Sequence, residues 1–332
     1  MPNPNDEDTI QFLVSPEQAG KRVDQVIAHE LSEYSRGKIQ QWIKSECILL
    51  DGDLPKSKQK VWAGQEITID LKTALSMEEV EHWKPQALPL DIVFEDEDII
   101  IINKPASVVV HPGAGNKDNT LVNALLNYAP ELNHLPRAGI IHRIDKDTTG
   151  LLVIARNLIS HNALTKMLQA REFNRQYQAL VNGVMTAGGT IDAPMGRHPQ
   201  QRTKMAVLLQ NENAKNAITH YRVETRYRAH TLVNVKLETG RTHQIRVHMA
   251  HIKYPIVGDP VYGGRFRIPP GASEKFIKSL NAFKRQALHA KSLGFEHPVK
   301  GEYMEWQVPL PEDFQLLLTE MAEDFQSHLN DE

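Results

Sequence analysis

The segment His142-Arg143-Ile144-Asp145-Lys146-Asp147-Thr148-Thr149-Gly150 runs without a break into Leu151-Leu152-Val153-Ile154-Ala155. Five apolar residues in succession behind a turn-prone loop read as a buried strand. Whatever fold the chain adopts must therefore carry a charged loop, and one carboxylate in particular, Asp145, to the mouth of a sheet. Such loops on rigid scaffolds are where chemistry is commonly held. Arg143, two residues away, is the obvious partner for Asp145, although a surface pair of that kind contributes little.

At 332 residues the chain has room for two domains. Its formal net charge of -3 averages opposed segments. From Arg197 to Lys253 there are eleven Lys or Arg against three Asp or Glu, whereas residues 75–98 hold eight acids and a single Lys. A local basic belt of this kind suits phosphate, and a solvated face explains it equally well. Cys47 is the only cysteine, which excludes an internal disulfide and a cysteine-based zinc site. The first eight residues lack the basic and apolar regions of a signal peptide. No stretch reaches 18 uninterrupted apolar residues. A cytoplasmic protein with no membrane partner is expected.

Residues 1–12 read as a disordered tail. Beyond them Val23, Val26, Ile27 and Leu31 share one helical face, and Ser35 is placed to cap a second helix to Lys44 with Ile39, Trp42 and Ile43 inward. Ile48-Leu49-Leu50 leads into the hairpin dipeptide Asp51-Gly52, and Val61 to Asp70 reads as strand, Gly64 turn, strand. Arg22-Val23-Asp24, Ser35-Arg36 and Leu49-Leu50-Asp51-Gly52 give residues 13–71 a resemblance to the small S4-like α/β RNA-binding domain. The resemblance implies an RNA-binding face offering Arg22, Arg36, Lys38 and Lys44; ordinary solubilising basic residues are the plainer alternative.

Residues 72–88, with an acidic run and two prolines, read as a linker. From 89 to 326 strands and helices intermingle. Ile99 to Ile102 is a continuous apolar strand, Asn119 is placed to cap a helix to Ala129, and another helix spans Leu158 to Arg171. Arg175 to Val181, the stretch at Tyr221 and Val223, and Val233 to Leu237 alternate as half-buried strands. The expected class is α+β, with a mixed, mainly antiparallel sheet.

No phosphate-binding glycine loop is present, and the His-Arg-x-Asp of the opening loop lacks the other kinase motifs. The 15 histidines show no H-E-x-x-H spacing, so neither a metal nor a nucleotide cofactor is expected. In Glu238-Thr239-Gly240-Arg241-Thr242-His243-Gln244-Ile245-Arg246-Val247-His248 a strand ends at Gly240. Thr242 is placed to cap the helix that follows. Arg241 and His243 then lie at its positive end, which suits phosphate. Arg246, one turn in, could face an Asp and keep it ionised; a structural ion pair would look the same.

Together the His142 to Ala155 stretch, Asn103-Lys104-Pro105, Val110-His111-Pro112-Gly113, Tyr177 in its strand and Gly240 to His248 resemble the RluA-type pseudouridine synthases over nearly the whole chain. Ile144 and Thr149 stand where that family often has Leu and Ser. The resemblance implies isomerisation of uridine in RNA without metal or cofactor. Asp145 is implied as the catalytic carboxylate, either attacking C1′ or removing a sugar proton. Arg246 is implied as its ion-pair partner and Tyr177 as the aromatic that stacks on uracil. Leu288 matches a pocket-lining position, and His142 and Arg143 are candidates to steady the loop or enter the RNA. Gly258 to Gly264, Pro269 to Ser273 and Arg285 to Ala290 resemble members acting on large-subunit rRNA. That makes such an rRNA stem-loop, or a pre-ribosomal particle, the expected partner of a monomer. Two alternatives stand beside this reading: the same chemistry on tRNA, and a non-catalytic ribosome-assembly factor that only binds RNA.

Overall fold

A computed structural model describes residues 9–31, 34, 36–76, 83–113, 116–201, 203–211 and 214–329. The chain divides into two compact units, residues 1–82 and 83–332, and each is described by itself.

The first unit comprises β1 (Thr9–Leu13), α1 (Val23–Glu30), α2 (Arg36–Lys44), β2 (Ile48–Leu50), β3 (Glu66–Asp70) and α3 (Leu71–Ser76). Its antiparallel sheet has the order β1-β3-β2. Val23, Ile27, Ile39, Ile43, Ile48, Ile67 and Ile69 form one core, the strand residues contributing by alternation and the helical ones by the 3–4 spacing. Asp51 and Gly52 both take left-handed backbone (φ 53° and 86°), and Leu50 and Asp53 exchange backbone hydrogen bonds across them, as the dipeptide predicts.

Three expectations change here. Residues 9–12 belong to β1 rather than to a tail, because Ile10 and Phe12 alternate toward the core. Val61 lies outside any strand: its backbone bonds to Gly20 and Lys21 instead, and β3 starts only at Glu66. Leu71 to Ser76 is helical. The capping role expected of Ser35 lies outside the described residues.

The second unit runs β4 (Ile92–Glu95), β5 (Ile99–Lys104), α4 (Leu121–Tyr128), β6 (Thr149–Ala155), α5 (Leu158–Ala170), β7 (Asn174–Asn182) and β8 (Gly189–Asp192). It continues through β9 (Met195–Arg197), β10 (Met205–Val207), β11 (Ile218–Arg226), β12 (His230–Leu237) and α6 (Gln244–His251). It closes with α7 (Glu274–Ala282), β13 (Leu288–Glu296), β14 (Tyr303–Gln307) and α8 (Glu312–Leu329). Nine strands form one sheet in the order β4-β5-β6-β13-β7-β12-β11-β8, with β14 on β13; β9 and β10 make a separate hairpin. Within the nine-stranded sheet only β6 and β13 pair in parallel, so the α+β class with a mixed, mainly antiparallel sheet holds.

The unbroken apolar runs have a direct cause. Ile100, Ile102, Leu152 and Ile154 pack with α4, α7 and α8 on one face, while Ile99, Ile101, Leu151, Val153 and Ala155 pack on the other with Leu164 and Phe173. A strand covered on both sides has no solvent face to alternate toward. β7 departs from the half-buried pattern for the same reason, since it is buried from Tyr177 onward. α4 is capped by Thr120, whose hydroxyl accepts from the Asn123 N–H, while Asn119 sits at φ 59° before it. Residues 83–88, read as linker, belong to this unit: the Asn123 amide donates to Lys84 O, and Gln86 N–H donates to Asn123 O.

Candidate active site

Asp145 stands in the loop that enters β6, and the loop is pinned from several directions. Its own turn closes by Thr148 N–H donating to Asp145 O at 3.1 Å. Lys104, fully buried at the end of β5, donates from Nζ to Pro105 O (2.7 Å), Val108 O (2.9 Å) and Lys146 O (2.8 Å). Burial pulls this ammonium down to about 7, against the attraction of Asp147 and Asp145. Arg285, held bidentately by Asp313, reaches Asp147 O at 3.4 Å, and Gln286 donates to Thr148 Oγ1 at 3.0 Å. At Gly150 (φ 109°) the backbone passes so close to β13 that a Cβ would meet Ala290 O at 2.2 Å, so only glycine permits the parallel pairing there.

α6 supplies the partner carboxylate clamp. Arg246 donates from Nη1 to Asp145 Oδ2 at 2.9 Å, and from Nε and Nη2 to the two oxygens of Asp259 at 2.7 and 2.9 Å. Asp259 is fully buried, while 17% of the Asp145 side chain remains exposed. Burial alone would raise the Asp259 carboxyl; the guanidinium and the N–H groups of Val261 and Tyr262 hold it below its ordinary range. Arg246 is raised in turn: burial alone would lower it, and its two carboxylates outweigh burial. A planar, bidentate grip by the buried Asp259 fixes the guanidinium and turns Nη1 toward Asp145, the carboxylate that still faces the cleft.

The helix start differs from expectation. His243, in left-handed conformation at φ 57°, is the N-cap in place of Thr242. Gln244 folds back so that its Oε1 accepts from Arg241 N–H (2.9 Å) and Thr239 Oγ1 (2.8 Å). Met205 N–H donates to the Tyr262 hydroxyl at 2.9 Å, and His243 Nδ1 shares a hydrogen bond with the same hydroxyl, also at 2.9 Å. The other ring nitrogen, Nε2, faces Asp145 Oδ1 at 3.9 Å. Burial lowers the pKa of this ring, partly offset by Asp145. The Arg246 guanidinium lies 5.2 Å from the Tyr262 ring centre.

These groups line a cleft of about 810 Å³, within the roughly 300–1,000 Å³ typical of small-molecule sites. His142, Arg143, Asp145, Tyr177, Arg241, His243, Arg246 and Leu288 all contribute to its wall. Tyr177, on β7 between Val235 and Ala290, is nearly buried, and burial raises its phenol. Arg143 and Arg241 are exposed, the latter donating to Asn216 O. His142 turns inward: Nε2 accepts from Val153 N–H, the ring meets Phe173 edge-on, and burial holds it down to about 3. Asp145 therefore pairs with Arg246 and not with its sequence neighbour Arg143.

On the first unit, Arg22 and Arg36 both grip the buried Asp24 through two hydrogen bonds each. Lys38 lies over Tyr34 and Trp42, and Lys44 is exposed.

Asp259, Tyr262, Lys104 and Arg175 complete the cleft and its supports, although the sequence assigned none of them a role in the site. Lys104 carried a usable signal, a lysine closing a run of four isoleucines that has to be buried. Among the described residues, Asp96, Asp98 and His297 are the group that could approach a metal ion, but His297 and Lys300 already bind Asp96 at 3.0 and 2.8 Å, and none of the three lines the cleft.

Residues 98–251 match the RNA pseudouridylate synthase family. The ribosomal large subunit pseudouridine synthase D of Escherichia coli (strain K12) is 52% identical over 320 residues, covering 96% of each chain. That of Pseudomonas aeruginosa is 52% identical over 308 residues, covering 93% of this chain and 94% of the relative. The solved human RNA pseudouridylate synthase domain containing 4 superposes with a TM-score of 0.55 at 27% identity, over 70% of this chain and 93% of that one.

Proposed function

This chain belongs to the RNA pseudouridylate synthase family and is an RNA pseudouridine synthase, and from that membership we propose that it acts on large-subunit rRNA through Asp145, Tyr177 and Arg246. The observation that carries the site is Arg246, held by the buried Asp259 and donating from Nη1 to Asp145 at 2.9 Å inside the cleft. The names of the relatives, at about half identity over nearly the full chain, support the rRNA substrate.

The reaction breaks the C1′–N1 bond of uridine, turns the uracil and joins C5 to C1′. Asp145 acts on the ribose, by attack at C1′ or by removal of a sugar proton. Arg246 holds it in place. Tyr177 offers a ring face for the base, with Leu288 beside it in the wall. The uridine must leave its stack to enter, at a cost of a few kcal/mol. The exposed Arg143 and Arg241 at the cleft offset that cost through phosphate contacts, which weaken with salt. Lys38 and Lys44 on the first unit add an RNA-binding face. Arg22 and Arg36 support that face by anchoring it to Asp24.

The test is tritium release from C5-labelled uridine in large-subunit rRNA. The wild type releases label and Asp145→Asn does not; undiminished release by the variant would remove Asp145 from the chemistry. Activity confined to tRNA would displace the rRNA assignment alone.

A further inference from the structure

Arg175 is a buried cation that the mechanism above leaves unused. It lies on β7 in the wall of the cleft with only 6% of its surface exposed. Its Nε is buried without a partner, and among the described residues its guanidinium has neither an ion pair nor a hydrogen bond. Its neighbours are otherwise engaged: Arg246 by two aspartates, and Arg171 by Glu238 at 3.1 Å. Gly240 makes room for it, since a Cβ there would come within 2.9 Å of Nη1. Burying a guanidinium without a partner is costly. A free enzyme gains nothing from that arrangement; a bound state that brings negative charge does.

Depth decides which part of the RNA brings it. Arg175 and Tyr177 are two residues apart on one strand, hence on the same face and about 7 Å apart. Arg175, Tyr177 and Leu288 are all at least nine-tenths buried, whereas Arg143 and Arg241 are exposed. Phosphates belong with the exposed arginines, and the extruded base belongs with Tyr177.

We propose that Arg175 donates to a carbonyl oxygen of the extruded uracil and stabilises the charge the base acquires as C1′–N1 breaks. The inference rests on the reading that the cleft at Tyr177 receives the base. On either route open to Asp145 the bonding pair stays with N1 and spreads onto the ring carbonyls. The same anion then joins C1′ through C5 as the Asp145–C1′ ester bond breaks or, on the other route, as the sugar proton returns from Asp145 to the ribose; the C5 proton passes to a base, and N1 takes up a proton. Nothing is oxidised or reduced. An oxygen that gains charge in the transition state is held more tightly there than in the ground state, so Arg175 acts on kcat.

The experiment compares wild type, Arg175→Gln, Arg175→Lys and Asp145→Asn on an rRNA transcript that the wild type modifies. It reads kcat, KM, the salt dependence of RNA binding and the thermal midpoint. Arg175→Gln is expected to lose roughly 100-fold in kcat, the scale of one oxyanion donor, with KM within about threefold and an unchanged salt slope. Arg175→Lys recovers part of the loss. Because an unpaired buried charge is removed, Arg175→Gln keeps or raises the thermal midpoint, which a structural arginine would not do. Wild-type kcat in Arg175→Gln overturns the proposal. So does a raised KM with a salt slope shallower by about one, the mark of a phosphate contact, or a loss of activity that follows a fallen thermal midpoint. If Asp145→Asn keeps full activity, the catalytic reading fails first; if it is inactive while Arg175→Gln is unaffected, only the role of Arg175 fails.

Discussion

Arg246 is shared unequally between two carboxylates, and the inequality sets the site. Asp259 takes two of its N–H groups and is fully buried; Asp145 takes one and stays open to the cleft. Asp259 is thus a positioning residue that acts through Arg246. Asp259→Asn keeps the shape but not the charge, and breaking a buried pair from one side costs about 3–5 kcal/mol. The expected outcome is a stability loss on that scale, read by urea unfolding. It is accompanied by a fall in kcat on the order of 100-fold from misplacement of the guanidinium, with KM little changed. An unaltered kcat would show that Asp145 needs no such support.

At the scale of elements, the loop of Asp145 is placed by the passage from Lys104 in β5 and Gly150 in β6 to β13. Gly150→Ala collides with Ala290 O and forces a side chain into φ 109°, at a cost on the order of 3 kcal/mol. Activity should fall together with the thermal midpoint, because Gly150 lies where the loop passes into the strand. Strands β5 and β6 were legible in the sequence, since burial on both faces demands unbroken apolar runs. β1 was not, as a five-residue strand with two inward side chains looks like any polar terminus. The start of α6 was misread because the Gln244 side chain folds back over the helix start and leaves His243 as the cap, a choice fixed by β11 and not by local spacing. In the site, Asp145, Arg246 and Tyr177 stood out through motif resemblance. Asp259, a loop aspartate 13 residues beyond Arg246, gains meaning only when the chain folds back.

At the scale of the whole molecule, no helix among the described residues is long and apolar enough to cross a membrane. The second unit carries its own pH limit. His230 and His289 are buried, and burial lowers both from an ordinary 6.5 to about 4. Their neutral forms suit the fold, with His289 taking Thr149 at Nδ1 and Val308 O at Nε2. Folding is therefore unpenalised by them above 6.5, and stability drains as pH falls from 6.5 toward 4, on the order of a few kcal/mol for the pair. Urea midpoints at pH 7, 5.5 and 4.5 should decline in that order; a flat profile would mean that neither imidazole resists its proton. The most direct measurement maps pseudouridine in large-subunit rRNA from cells lacking this protein, supplied with the wild type or with Asp145→Asn. The expected result is that specific uridines remain unmodified without the protein and with Asp145→Asn, and are restored by the wild type. Restoration by Asp145→Asn, or rRNA whose pseudouridines never change while subunit maturation fails, would contradict it.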